Sequence, residues 1–180
     1  ESRYKKKIPP GFKDDKKDES YFVNGLEFKR KFGDLLLWHE IIQKANIDKI
    51  KHLVLVTGDV KEDWWLKKRG KNLNARLELL DEIYSKSPEL QSFYMYDTSS
   101  FLRNAKTYLD LDISEDTIEQ TNDLIRVNNK KTNFYDKKDG LADFIEIVKF
   151  LSNKFDDLKV YIHSSVELIP PILIPEFVPF

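Results

Sequence analysis

The segment KHLVLVTGDVKEDWW, residues 51–65, decides the fold. Its unbroken apolar run from Leu53 to Val56 stops at Thr57-Gly58-Asp59. A short apolar run bounded by glycine reads as a strand buried on both faces, the kind found in a parallel sheet covered by helices. Asp59 then stands at the strand's carboxyl end, the edge at which open α/β sheets bind their ligands. Just upstream, Phe32-Gly33-Asp34 runs into LLLWHEIIQKA. Leu35, Trp38, Ile41, Ile42 and Ala45 share one face at helical spacing, with Asp34 at the N-cap position. A helix leading into a parallel strand starts near the ligand edge, so Asp34 and Asp59 are expected at one rim.

Composition sets the outer bounds. The chain has 180 residues, 41% hydrophobic and 34% charged, with a net charge of -1, which describes a domain able to bury a real core under a heavily charged surface. The absence of cysteine excludes disulfides and thiolate metal sites and suits a cytoplasmic protein. No apolar run approaches the roughly 20 residues of a membrane span, so no membrane partner is expected. No signal peptide is visible. The first residue is Glu, which reads as the start of a piece of a longer protein.

Charge is unevenly placed. Residues 1–31 hold ten basic and six acidic side chains, an excess of four positives in a nearly neutral protein. Such an excess points to an anionic partner, and equally describes a solvated arm. Within it, Ile8-Pro9-Pro10-Gly11-Phe12-Lys13-Asp14 reads as a stiff turn that brings Asp14 towards Asp34.

After the central strand, residues 62–69 read as a short helix closed by Gly70 at C′. Lys67, Lys68, Arg69, Lys71 and Arg76 form a second positive cluster. Residues 75–84 are expected to be helical, burying Leu77, Leu80, Ile83 and Tyr84. Residues 93–96 read as a strand, and Asp97-Thr98-Ser99 caps a helix carrying Phe101, Leu102, Ala105, Tyr108 and Leu109. This alternation is the signature of parallel βαβ topology. Beyond it, Ser114 caps a polar helix to about residue 127, 128–140 is a loop, and Leu141, Phe144, Ile145, Val148, Leu151 and Phe155 mark an amphipathic helix. Residues 158–163 read as an edge strand. The tail, 167–180, carries four prolines and is expected to lie extended along an apolar groove.

Carboxylates gathered at one rim repel each other unless a hard cation compensates them, which makes a natural Mg²⁺ or Mn²⁺ site. A metal so held activates water and stabilises charge building on a phosphate. The basic arm, residues 67–71 and one of Trp64 or Trp65 are placed to guide and stack a single-stranded nucleic acid. Each residue also has a plainer reading. Asp34 serves as a helix cap, Asp59 as a turn former after Gly58, and Glu62 and Asp63 as acids favouring a helix dipole. The tryptophan pair can be packing. His39, His52 and His163 show no metal-ligand spacing.

The run IPPGFKD (8–14), FGDLLLW (32–38), HLVLVTGD (52–59), KEDWW (61–65), GK (70–71), RLELLDE (76–82) and FYMYDTSSFL (93–102) resembles the bacterial PIN-like domain family, a branch of the PIN nucleases. The resemblance covers roughly residues 2–110. It implies a three-layer αβα fold with a central parallel sheet and a divalent-metal ribonuclease of the toxin or phage-defence kind. By it, Asp34 and Asp59 are the catalytic acids, and Asp14, Asp34 and Asp59 the metal ligands. Lys13, Lys61, Trp64, Lys67, Lys68, Lys71 and Arg76 are the expected nucleic-acid contacts, with RNA the expected partner. The PIN pattern also opens with an acid after its first strand, which has no counterpart here. Residues 1–110 are therefore expected to be the C-terminal part of such a domain, completed by an upstream segment or a protein partner, with 111–180 a helical extension. Oligomerisation stays open.

Two other readings remain. A binding or scaffold module without catalysis accords with the absent first acid and the basic arm. A phosphoacceptor receiver domain also places an aspartate at a strand end, but needs a lysine after a later strand, which residues 93–98 lack.

Overall fold

The computed structural model describes residues 1–109, 114–116, 118, 119, 149 and 158–163. The loop expected at 128–140, the amphipathic helix of 141–155 and the proline-rich tail lie outside the described residues or almost wholly so. The polar helix expected from Ser114 is described only at a few positions near its start. The chain is a mixed α/β protein that divides into two units, Glu1–Lys51 with Val60–Phe93, and His52–Asp59 with Tyr94–Phe180. No helix among the described residues is long and apolar enough to cross a membrane.

The first unit begins with a short helix, α1 (Ser2–Lys5), followed by the proline turn and a single helical turn at Phe12–Asp14. The turn is not a solvated arm: Pro9, Pro10 and Gly11 are all buried. Strands β1 (Ser20–Val23) and β2 (Leu26–Lys29) follow as an antiparallel hairpin. Asn24 and Gly25 take φ of 50° and 78°, the left-handed pair that a two-residue hairpin turn requires.

Helix α2 (Gly33–Ile47) buries Trp38, Ile41, Ile42 and Ala45, as its spacing predicts. Its start differs from expectation. Phe32 holds the N-cap position and no side chain caps it, so Asp34 lies inside the first turn with its carboxylate directed elsewhere. Strand β3 (His52–Thr57) belongs to the second unit.

The chain returns to the first unit with a correction. Residues 62–69 do not form a helix; β4 (Trp65–Lys68) and β5 (Lys71–Ala75) are an antiparallel hairpin. Gly70 is a turn residue and not a helix C′: Arg69 and Gly70 take φ of 51° and 75°, again the paired left-handed turn. Helix α3 (Leu77–Lys86) buries Leu79 and Ile83, whereas Leu77 and Tyr84 are exposed. The buried face therefore turns about Leu79–Ile83, an i,i+4 pair, and not about Leu77.

One carboxylate ties this unit together. Glu82 on α3 accepts hydrogen bonds from Trp38 Nε1 at 2.9 Å, from Arg3 Nη1 at 2.8 Å and from Lys86 Nζ at 2.7 Å. Arg3 Nε also donates to the Pro9 carbonyl at 3.0 Å. Helices α1, α2 and α3 thus meet on one charge, and Trp38 packs edge-on against Trp64 and Phe93 beside it.

In the second unit, β3 is the middle of a sheet ordered β6-β3-β7, with β6 at Ser92–Tyr96 and β7 at Leu158–His163. β7 runs parallel to β3, from His52 opposite Leu158 to Thr57 opposite His163. Paired on both sides, β3 buries Leu53, Leu55 and Val56, which is why it reads as an unbroken apolar run. Asp97 caps helix α4 (Thr98–Leu109), its Oδ1 accepting the Ser100 N–H at 2.8 Å. α4 buries Phe101, Leu102 and Ala105 and leaves Tyr108 exposed.

The Glu82 network predicts an acid limb in stability. Burial opposes ionisation of this carboxyl, but bonds from Arg3, Lys86 and Trp38 outweigh it and hold its pKa at about 2 against an ordinary 4.5. A depressed carboxyl contributes stability above its unfolded pKa and loses it as pH falls through the folded one. Urea midpoints should therefore drop between pH 4.5 and about 2. Glu82→Gln should cost about 2 kcal/mol at neutral pH and flatten that limb. An unchanged limb in the variant would show that the network adds nothing.

Candidate carboxylate site

The proline turn, the start of α2 and the segment before β4 each contribute to a cluster of acids within the first unit. Lys61 Nζ lies 3.1 Å from Asp14 Oδ2 and 3.4 Å from Asp34 Oδ2. One ammonium therefore holds two carboxylates from elements 20 positions apart in the sequence. Trp64 Nε1 donates to the same Asp34 oxygen at 3.3 Å, and Lys17 donates to Asp14 at 2.9 Å. Burial opposes ionisation of Asp14, but the hydrogen bonds from Lys17 and Lys61 prevail and hold its carboxyl below the ordinary carboxylate range.

Asp63, read from sequence as a helix-dipole acid, has another task. It is fully buried, and its Oδ2 accepts the backbone N–H of Gly11 at 3.1 Å and of Lys13 at 3.0 Å. Two charge-assisted bonds to the amides of Gly11 and Lys13, on either side of Phe12, pin the residues that carry Asp14. Gly11 itself takes φ of 89°, and a Cβ there would overlap the Tyr4 hydroxyl and approach Asp34 Cβ to 3.3 Å. The glycine is thus required both by its backbone angle and by the close approach of the turn to α2. Tyr4 closes this side, donating to the Lys31 carbonyl at 2.7 Å and packing on Phe32. Its phenol is pushed well above its ordinary value, first by burial and then by the negative charges of Asp34, Asp14 and Asp63.

The structure brings Asp14 and Asp34 together on Lys61. Asp59 lies in the second unit, two residues beyond β3; it is buried, and its N–H donates to Thr57 Oγ1 at 3.0 Å. Among the expected nucleic-acid contacts, Lys61 is committed to the carboxylates. Lys13 pairs with Glu62, and Arg76 with Glu78. Lys67, Lys68 and Lys71 stand exposed on the β4–β5 hairpin. Trp64 is a correction: at 0% exposure, its ring edge against Trp38, it has no face for a base and serves as a packed donor to Asp34.

The oxygen donors suit a hard divalent ion, which commonly takes one or two carboxylates and completes its shell with water. Among the described residues, no group of three or more histidine, cysteine, aspartate or glutamate side chains is gathered to hold a metal. Asp63 and Tyr4 were not singled out as functional in the sequence. No local pattern marks either role, because both depend on the distant Gly11 turn.

In comparison with known proteins, residues 1–79 match the family model described as a PIN like domain. No curated protein and no solved structure gives a significant match.

The packing at Gly11 makes a coupled prediction. Gly11→Ala should cost on the order of 2 kcal/mol, measured by urea unfolding, from the left-handed φ and the overlap with Tyr4. Tyr4→Phe removes the obstructing oxygen, so the double variant should be less destabilised than the sum of the two singles. Strictly additive costs would contradict the contact.

Proposed function

We propose, from the PIN-like domain that residues 1–79 carry, that this chain acts as a divalent-metal-dependent ribonuclease of the toxin or phage-defence kind, hydrolysing phosphodiester bonds in single-stranded RNA. The PIN-like match points to the nuclease superfamily. The finer reading is supported by one observation above all, the convergence of Asp14 and Asp34 on a single cationic atom. In this reading Asp14, Asp34 and Asp59 hold Mg²⁺ or Mn²⁺, with the sheet as the centre of a three-layer αβα domain.

The chain's own residues have distinct tasks. Trp64 fixes the Asp34 carboxylate through its indole N–H, and Asp63 fixes the turn bearing Asp14. Lys61 balances the two negative charges, keeping side by side a pair that would otherwise repel. A bound divalent ion supplies an activated water and stabilises charge on the phosphate under attack.

Lys61 also favours a second reading. An ammonium that already neutralises both acids fits a module that binds nucleic acid without turnover.

The experiment is cleavage of a labelled single-stranded RNA by the full chain with Mn²⁺ or Mg²⁺. Activity should disappear with EDTA and fall at least about a hundredfold in Asp34→Asn and in Asp59→Asn, with melting curves retained. Undiminished cleavage in both variants would refute the assignment of the acids. Salt-sensitive RNA binding with no turnover in any metal would establish the second reading instead.

A further inference from the structure

The β4–β5 hairpin carries a feature that its folding does not require. From Trp64 to Leu77 the chain has five basic residues and no acidic one. The acids on either side are engaged elsewhere, Glu62 by Lys13 and Glu78 by Arg76. Among the described residues, Lys68, Arg69 and Lys71 enter no ion pair, and all three are exposed.

The tip is built at a cost to the fold. Lys68 and Lys71 are directly opposed across the ladder, and like charges in that position destabilise a sheet. Arg69 takes φ of 51° at a turn position where asparagine or glycine is favoured. The β1–β2 hairpin shows the favourable solution in the same unit, with Asn24 at the equivalent turn position. An anion lying along the tip would remove the repulsion between Lys68 and Lys71.

Pairing sets the cations in order. Register places Leu66, Lys68, Lys71 and Asn74 on one face, while Trp65 and Ala75 turn to the other and are buried. The register shifts between Leu66 and Lys67, where Leu73 is the extra residue on β5. Lysines are compact point charges that attract phosphate without reading base edges. The ribbon is anchored at its base by the buried Trp65 and carries these charges exposed at its tip.

We propose that the β4–β5 hairpin is a nucleic-acid clamp that grips the phosphodiester backbone through Lys68, Arg69 and Lys71, independently of the carboxylate site. The inference rests on the nucleic-acid reading above and needs none of its hydrolytic chemistry.

The test measures binding of a fluorescent oligouridylate to the full chain carrying Asp34→Asn, in EDTA, across a series of salt concentrations. Adding Lys68→Gln, Arg69→Asn and Lys71→Gln should weaken binding about tenfold or more and lower the slope of log affinity against log salt by roughly 2. Asparagine suits the left-handed turn, so the urea midpoint should hold or rise. A control with Lys49→Gln, Lys51→Gln and Arg103→Gln removes the same charge from exposed positions outside both the hairpin and the basic arm and should weaken binding much less. The proposal is overturned by an unchanged slope, by an equal loss in the control, or by absence of RNA binding in the parent chain. It is also overturned if the hairpin substitutions abolish binding to phosphatidylserine vesicles but spare the oligouridylate. Hairpin-dependent binding in a chain that never cleaves RNA would sink the nuclease reading and leave this one standing. Cleavage without any contribution from the hairpin would do the reverse.

Discussion

The pairing of two carboxylates on one ammonium is the constraint around which the first unit is arranged. Asp14 and Asp34 come from unrelated local structures, a one-turn helix after a proline turn and the first turn of α2. Left alone they would repel. Lys61 sits against both, and the surrounding architecture fixes each participant in turn. Asp63 holds the turn by its amides, Trp64 holds Asp34 by its indole, and Gly11 lets the two backbones approach where any side chain would collide with Tyr4. Sequence neighbours thus share labour: within 61–64, one residue supplies the cation, another the anchor and a third the donor.

That arrangement needs a rigid base, and the Glu82 network supplies it. Arg3 reaches from the N-terminal helix to Glu82 and to the Pro9 carbonyl, so the turn is fastened at both of its ends, by Arg3 on one side and Asp63 on the other. Trp38 contributes twice, donating to Glu82 and packing against Trp64. A single indole therefore links the packing of the core to the tryptophan that orients Asp34. Stability and site geometry are coupled through it, and substitutions at Trp38 should be expected to disturb both.

Much of this was legible in the residues, and the failures have physical causes. The central strand was plain because burial on both faces demands an unbroken apolar run, and α2 because its apolar spacing is regular. The caps and hairpins divided. Asp97 behaves as the cap its position implies, whereas Asp34, in an equivalent sequence position, is drawn to Lys61 and Trp64. Tertiary partners outcompeted the local role. The run KKRGK (67–71) is ambiguous because glycine ends helices and closes hairpins with the same positive φ, and only the pairing partner distinguishes them. The Asn24-Gly25 pair carries a hairpin signal within a segment rich in charge. Asp63 was not readable, since nothing local announces that a distant turn will donate two amides to it.

The proposed function requires that the acids of this site bind a divalent cation. Calorimetric titration of the full chain with Mn²⁺ tests it most directly, with no dependence on finding the substrate. The account predicts saturable binding that weakens at least about tenfold in Asp34→Asn while the fold remains intact. Equal Mn²⁺ binding by the wild-type chain and by Asp34→Asn, or none by either, would contradict it.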